Sequence, residues 1–407
     1  MITRICAAAA CLLLFRFAAA APVQLPAPDG PHRVGMARFD VAGAPAYVWY
    51  PAAAGAKTSR PYFNRTEQAT QARAIARNQR YGETELDGLE SVIAHSGEDA
   101  TPLQGKFPLV LFNHGYECYP QQNTVLMERW ASHGYIVVSI SHPGDAADLA
   151  LADGRVVPTS GAPVTDATFG ELRRRISAGA THEERTRGLD RYAAALPPTR
   201  LGASHARWSD DVRAALGAIE SGRTRGRAAA VFGHADTRRV AIAGMSFGGA
   251  VAASVCRAIA HCGAAINLDG SNYDPALFDA DIGRPLLVMQ ADPAYRNGSP
   301  NDYAYERWRE AGNNPHVVRL RLDGVRHMGF TDLGLLLPGG GSEQRFGRLD
   351  AQAAQRAIGD ATLAFLDQYL KGAGRGAMAR AIRDAKELHV HDPVAVREWA
   401  ARGGGRP

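Results

Sequence analysis

A serine between glycines is the strongest chemical signal in this sequence. Residues 244–249 read GMSFGG and place Ser246 directly after the apolar run 240–243 and before the small-residue segment 250–260. A serine at a sharp turn from strand to helix needs glycines on both sides, because larger side chains would collide with neighbouring backbone. The pattern predicts that Ser246 is a nucleophile at the positive end of a helix.

A histidine late in the chain is the expected partner of Ser246. A serine hydroxyl is a poor nucleophile until a base removes its proton. His327 follows the strand-like run 317–322 on a loop-like segment. Where a serine occupies such a turn, the histidine comes last in chain order. The sequence therefore predicts that His327 is the general base.

Two aspartates are candidates for the acid that orients His327. Such an acid holds the imidazole in one tautomer and stabilises its positive charge. Asp269 ends the apolar run 264–268, and Asp292 lies just beyond the next run, 286–289. The spacing alone leaves both aspartates open.

The oxyanion of an acyl-transfer reaction needs backbone donors that are already in place. One expected donor is the N–H of Phe247, directly after the nucleophile. The other should follow an early inner strand, and here the run 108–112 is followed by a segment in which Gly115 permits a tight turn. We predict the N–H of Tyr116 as the second donor and a structural role for His114.

Alternating strand-like and helix-like segments must position these residues. The apolar runs are typical of strands covered on both faces of a parallel sheet, while residues 209–220 and 361–370 have helical periodicity. The alternation predicts an α/β fold with a mostly parallel central sheet and helices on both faces. The strand-like segments are residues 108–112, 135–140, 240–243, 264–268, 286–289 and 317–322.

The remaining segments suggest how the chain is organised. Residues 1–21 have a basic start, a short apolar run and small residues for cleavage, which predicts a signal peptide and a secreted or periplasmic protein. Residues 22–407 are expected to form a single domain. Residues 146–205 interrupt the alternation and should contain helices of their own. This insertion is interpreted either as a cap over the site or as a peripheral addition.

Composition narrows the classes of partner and cofactor. The chain is 46% apolar and 21% charged with a net charge of +5, and it has no dense basic block of the kind that marks nucleic-acid binding. Neither a transmembrane helix nor association with a membrane surface is indicated. Cys118, Cys256 and Cys262 lack the spacing of a metal site, so no metal or cofactor is predicted. Cys256 and Cys262 are close enough to form a disulfide in an oxidising compartment.

Five short motifs match one family of secreted hydrolases. They are residues 47–51 (YVWYP), 107–115 (FPLVLFNHG), 244–249 (GMSFGG), 268–270 (LDG) and 327–332 (HMGFTD). With these motifs the sequence resembles the secreted platelet-activating factor acetylhydrolase family (the lipoprotein-associated phospholipases) and its bacterial relatives in the α/β-hydrolase superfamily. The match is poor over 146–205. Met245 replaces the histidine that many relatives carry before the serine, which bears on fine specificity.

The resemblance implies the α/β-hydrolase fold and adds an argument about the acid. In that family the acid closes the strand after the nucleophile helix, and this place corresponds to Asp269. Asp292 stays an alternative, because polyester and dienelactone hydrolases use the later position. The implied site consists of Ser246, Asp269 and His327, with the amides of Tyr116 and Phe247 at the oxyanion hole.

These observations predict a serine hydrolase that needs no cofactor. The expected substrates are carboxylic esters, in small molecules or lipids, with short-chain or oxidised acyl groups, and the reaction would pass through an acyl-enzyme on Ser246. One alternative is a dienelactone- or polyester-type hydrolase that uses Asp292. Another is a binding protein on the same scaffold without catalysis, because fold does not fix function. The same groups also cleave amides, so amide substrates stay open.

Overall fold

The apolar runs of the sequence form the inner strands of a ten-stranded sheet. The computed structural model describes residues 23–41, 43–161, 167–178, 181–279, 282–295, 314–337, 339 and 341–392. The segment predicted as a signal peptide, residues 1–21, lies outside this part of the chain. All six predicted strands are present, and the predicted α/β class is confirmed. The strand predicted at 240–243 is longer and spans Ala235–Met245, whereas the ends of the other five shift by at most two residues.

Fourteen strands are found in the described residues, ten of them in the main sheet. In chain order β1 to β14 are Arg33–Val41, Ala44–Ala52, Arg60–Pro61, Ile93–Ala94, Ser96–Glu98, Phe107–Asn113, Ile136–Ile140, Leu149–Ala150, Val156–Val157, Ala235–Met245, Cys262–Leu268, Leu286–Ala291, Val317–Leu322 and Leu388–Val390. The main sheet has the order β14-β13-β12-β11-β10-β6-β7-β2-β1-β5. The strands from β7 to β13 in this order run parallel, whereas β2 and β14 pair antiparallel with their inner neighbours.

The register of the central strands brings their carboxyl ends to one edge of the sheet. Gly244 of β10 pairs with Asn113 of β6, and Met245 pairs with Leu268 of β11. The residues that follow these three strands therefore meet in space. This edge is where ligands bind in open α/β sheets.

Helices cover both faces of the sheet. Along β6, Leu109 and Leu111 belong to one buried cluster, while Val110 and Phe112 belong to another, because successive strand residues point to opposite faces. The helices of four or more residues are Arg73–Gln79, Thr124–Ser132, Ala167–Ala178, His182–Ala195, Arg200–Glu220, Gly226–Phe232, Phe247–Ala258, Ala276–Asp279, Leu333–Leu336, Ser342–Phe346, Ala351–Leu370 and Gly376–Asp384, together with a π-helix, Gln68–Ala72, and a 3-10 helix, His327–Phe330.

The insertion at 146–205 contains helices, as its length suggested. Helices Ala167–Ala178 and His182–Ala195 pack on each other, and Leu189 and Tyr192 join the buried cluster that includes residues of helix Phe247–Ala258. The expected boundary at residue 205 falls inside helix Arg200–Glu220, so the insertion and the sheet-covering helix are continuous.

Cys256 and Cys262 form a disulfide between the end of helix Phe247–Ala258 and the start of β11. Cys118 is a buried free thiol, and burial raises its pKa to about 12. No helix in the described residues is long and apolar enough to cross a membrane.

Candidate active site

The turn between β10 and helix Phe247–Ala258 holds Ser246 in a strained conformation. Its φ of 57° and ψ of −121° lie in a region that side chains rarely adopt. A Cβ on Gly244 would lie 2.3 Å from the carbonyl carbon of Gly248, and a Cβ on Gly248 would lie 2.1 Å from the oxygen of Asn113. Glycine is therefore required at both places, which explains the pattern on either side of the serine.

Ser246, His327 and Asp269 form a continuous chain of hydrogen bonds. The Oγ of Ser246 lies 2.9 Å from Nε2 of His327, and Nδ1 of His327 lies 2.6 Å from Oδ2 of Asp269. The buried carboxylate of Asp269 also accepts the N–H of Ala291 at Oδ1, at 2.9 Å. With Nδ1–H donating to the carboxylate, the lone pair of Nε2 faces the serine hydroxyl. This arrangement can remove the hydroxyl proton as the serine attacks.

Asp292 makes different contacts. Its Oδ2 accepts the N–H of Gly324 at 2.7 Å, its Oδ1 accepts the N–H of Ala294 at 2.8 Å, and Arg348 lies 3.6 Å away. Asp292 thus braces the turn that precedes His327, while Asp269 contacts the imidazole.

Two backbone amides stand beside the nucleophile. The N–H of Phe247 is the first of its helix and has no acceptor within it. The N–H of Tyr116 has no acceptor among the described residues. The preceding residue, Gly115, lies against the serine, since a Cβ added there would be 3.4 Å from the Cβ of Ser246. Gly115, which precedes Tyr116, and Phe247 thus both adjoin Ser246.

Comparisons with known proteins agree with this fold. A solved structure described as ferulic acid esterase from Streptomyces cinnamoneus is similar, with a TM-score of 0.67 and 22% identity, over 91% of this chain and 100% of that chain. This chain has the α/β-hydrolase fold. A family model described as chlorophyllase matches residues 99–143, and no curated protein matches. The finer resemblance to the acetylhydrolases rests on the sequence motifs alone.

The fold also contains a buried polar cluster around Asp145, which no sequence motif predicted. Buried Asp145 accepts hydrogen bonds from the hydroxyl of Tyr116 at 2.7 Å and from Nε1 of Trp208 at 3.1 Å. It also pairs with Arg200 and Arg207 at 3.1 and 2.6 Å. Burial acts to raise the pKa of Asp145, but the hydrogen bonds and the charge of Arg207 outweigh it, and the pKa is lowered. The cluster ties the Tyr116 loop to helix Arg200–Glu220.

His114 lies beneath this loop as a neutral side chain. Burial, followed by the proximity of His142, lowers its pKa to about 3. Its Nδ1 lies 2.7 Å from the oxygen of Gly115, and its ring packs edge-on against Trp208 with centroids 4.9 Å apart. These contacts give His114 a packing role beneath the candidate site.

A metal site would need several His, Cys, Asp or Glu side chains close together. Among those that the structure describes, no group of three or more His, Cys, Asp or Glu side chains could hold a metal ion. The chemistry that the site presents is that of the hydroxyl, the imidazole, the carboxylate and the two amides.

Proposed function

We propose that this chain hydrolyses carboxylic esters through an acyl-enzyme on Ser246. The observation that carries the proposal is the hydrogen-bonded chain from Ser246 through His327 to Asp269. The similar solved structure from Streptomyces cinnamoneus is described as an esterase, and we extend that reaction class to this chain.

The first half of the proposed reaction forms the acyl-enzyme. The Oγ of Ser246 attacks the acyl carbon while its proton passes to Nε2 of His327. Asp269 stabilises the imidazolium that results. The carbonyl oxygen gains negative charge and accepts hydrogen bonds from the N–H groups of Tyr116 and Phe247. When the tetrahedral intermediate collapses, the C–O bond to the alcohol breaks, and the alcohol leaves with the proton from Nε2.

The second half hydrolyses the acyl-enzyme by the same groups. A water molecule gives its proton to Nε2 of His327 and its oxygen adds to the acyl carbon. The bond to Oγ of Ser246 then breaks, and the serine takes the proton back. The acid leaves, and the resting arrangement of hydrogen bonds is restored.

For the substrate, we propose esters with short or oxidised acyl chains, in small molecules or lipids, of the acetylhydrolase or phospholipase kind. The sequence motifs support this, and so do the bulky rings that pack on Phe247, the residue that follows Ser246. The rings of Tyr116 and Tyr273 pack on Phe247 with centroids 5.2 and 5.3 Å apart. Side chains of this size leave less room for an acyl group than small aliphatic ones.

A second candidate is an aromatic acyl group. The same rings can pack against a planar acyl group, because offset and edge-on ring contacts are favourable. The similar solved structure from Streptomyces cinnamoneus is described as a ferulic acid esterase. This candidate requires the same triad and differs only in the acyl group that is accepted.

We also propose that the protein is exported. The disulfide between Cys256 and Cys262 supports an oxidising compartment, and residues 1–21 have the layout of a signal peptide. Mass spectrometry of the N-terminus of protein recovered outside the cytoplasm would test this directly. An intact N-terminus in the cytoplasmic fraction would contradict it.

The decisive experiment compares the wild type with Ser246→Ala on p-nitrophenyl esters from acetate to decanoate and on methyl ferulate. We expect turnover that depends on Ser246 and falls steeply as the acyl chain lengthens. Methyl ferulate turned over faster than the acetate would favour the aromatic candidate. If the folded wild type cleaves no ester, a fluorophosphonate separates the remaining cases: labelling of Ser246 points to an amide substrate, and no labelling points to a binding protein.

A further inference from the structure

Two buried amide side chains connect the loop of the oxyanion donor with the loop of the general base. Gln122 and Asn123 lie just before helix Thr124–Ser132, and both are fully buried. The Oε1 of Gln122 accepts the N–H of Gly115 at 2.9 Å. Its Nε2 donates to Oδ1 of Asn123 at 2.9 Å, and Nδ2 of Asn123 donates to the oxygen of Phe330 at 2.6 Å.

These two linked amide side chains, called the relay below, contact one residue in each of the two loops. Gly115 directly precedes Tyr116, whose N–H is the proposed oxyanion donor. Phe330 ends the 3-10 helix that begins with His327. The N–H of Asp332 also donates to the backbone oxygen of Gln122 at 2.8 Å, a bond that does not involve the glutamine side chain.

The side chains of the relay are oriented unambiguously by their partners. Gly115 offers a donor and Phe330 offers an acceptor, so each amide has only one orientation that makes both of its bonds. The neighbouring Gln121 is equally buried, yet neither of its side-chain polar atoms has a hydrogen-bond partner among the described residues. Gln121 therefore shares the burial of Gln122 but not its hydrogen bonds.

We propose that Gln122 and Asn123 are positioning residues, which fix the distance between the oxyanion donor on Tyr116 and the imidazole of His327. The inference rests on the proposed function, because it assigns the two loops their catalytic roles. Both loops must keep their places relative to Ser246 as charge develops on the acyl oxygen. A misplacement of about 1 Å at a catalytic group lowers the rate by about 100-fold.

The test compares Gln122→Met with Gln121→Met, a matched control in which the same change removes no hydrogen bond. On p-nitrophenyl acetate we expect Gln122→Met to lower kcat by about 10- to 100-fold with little change in KM, because the relay acts on the transition state and not on substrate binding. Gln121→Met should keep the kcat of the wild type. Asn123→Ala cuts the relay at its other end and should reproduce the loss.

Hydrogen exchange gives a second readout that does not depend on activity. In Gln122→Met, the peptides over residues 115–120 and 327–332 should both exchange faster than in the wild type, while Gln121→Met should leave both unchanged. Faster exchange in only one loop, or equal exchange in the two variants, would overturn the coupling.

The outcomes separate this inference from the proposed function. A folded wild type without esterase activity would contradict the proposed function, and the exchange experiment would still decide the coupling. An active wild type whose Gln122→Met variant has an unchanged kcat would refute the positioning role alone. If Gln122→Met does not fold, Asn123→Ala supplies the same two measurements.

Discussion

Nδ1 of His327 lies 2.6 Å from Oδ2 of Asp269, and the second oxygen of this carboxylate is held by the N–H of Ala291. Both oxygens are therefore committed, and the carboxylate cannot rotate away from the imidazole without losing a backbone hydrogen bond. Because Asp269 is buried, its interaction with an imidazolium is weakly screened by solvent. This geometry makes Asp269 the group on which the tautomer of His327 depends.

The first prediction concerns the two candidate acids. Asp269→Asn should lower kcat on p-nitrophenyl acetate by about 10³- to 10⁴-fold, because an amide in this place favours the wrong tautomer of His327. Asp292→Asn should keep kcat within about tenfold of the wild type, because Asp292 does not contact the imidazole. Its amide can accept only one of the two backbone N–H groups that the carboxylate accepts, so this variant should lose Tm. Thermal unfolding of both variants serves as the control for folding. The opposite order of losses would transfer the role of acid to Asp292.

The pairing of Ser246 with His327 could be predicted from the sequence because its signals are local or ordered along the chain. The glycines around Ser246 are demanded by backbone contacts within one turn, so the motif carries the geometry. The choice between Asp269 and Asp292 could not be made from spacing. Both aspartates follow neighbouring parallel strands and reach the same edge of the sheet. Only the direction of each side chain distinguishes them, and this depends on contacts with distant residues.

The buried polar contacts could not be predicted from sequence patterns, whereas the start of one helix could have been. Asp145 and Trp208 meet across 63 positions of sequence, and no motif relates them. The relay of Gln122 and Asn123 is equally invisible, because buried amides have no spacing rule. The true start of helix Arg200–Glu220 was readable, since Thr199 accepts the N–H of Gly202 as an N-cap and follows two prolines. There, polar residues in the first turns masked the helical periodicity.

The second prediction tests the backbone donor at Phe247. Proline is tolerated at the first position of a helix, so Phe247→Pro can remove the N–H without breaking the helix. Proline also restricts the backbone of the preceding Ser246, which has a φ of 57°, so labelling of Ser246 by a fluorophosphonate must first show that the serine keeps its place. We expect kcat to fall by about 10²- to 10³-fold relative to Phe247→Leu, which loses the ring but keeps the N–H. The comparison of the two variants separates the donor from the aromatic packing. Equal kcat values in the folded variants would mean that this amide does not stabilise the oxyanion.

The third prediction concerns the disulfide between Cys256 and Cys262. Closing a loop of this short length stabilises a protein by about 2 kcal/mol through the entropy of the unfolded chain. A reductant should therefore lower the Tm of the wild type, and the double variant Cys256→Ala/Cys262→Ala should have the lower Tm without reductant. The double variant itself should not respond to the reductant. A Tm that stays unchanged although the disulfide has been shown to be reduced would contradict the stabilising role.

Cys118 should stay unmodified by iodoacetamide in the native protein, because it is buried and its thiol pKa is raised to about 12.

The last prediction concerns acid stability and the buried imidazole of His114. Its pKa is lowered by burial from the ordinary value of 6.5 to about 3, so between these values the unfolded chain binds a proton that the native state does not. The contribution of His114 to stability is therefore complete above pH 6.5 and is lost as the pH falls towards 3, by about 1.4 kcal/mol per pH unit. His114→Gln cannot titrate in this range. Although it loses packing at neutral pH, its free energy of unfolding should fall less steeply than that of the wild type between pH 6 and pH 4. Urea unfolding at several pH values measures both slopes, and parallel slopes would show that His114 takes up its proton equally in the folded and unfolded states.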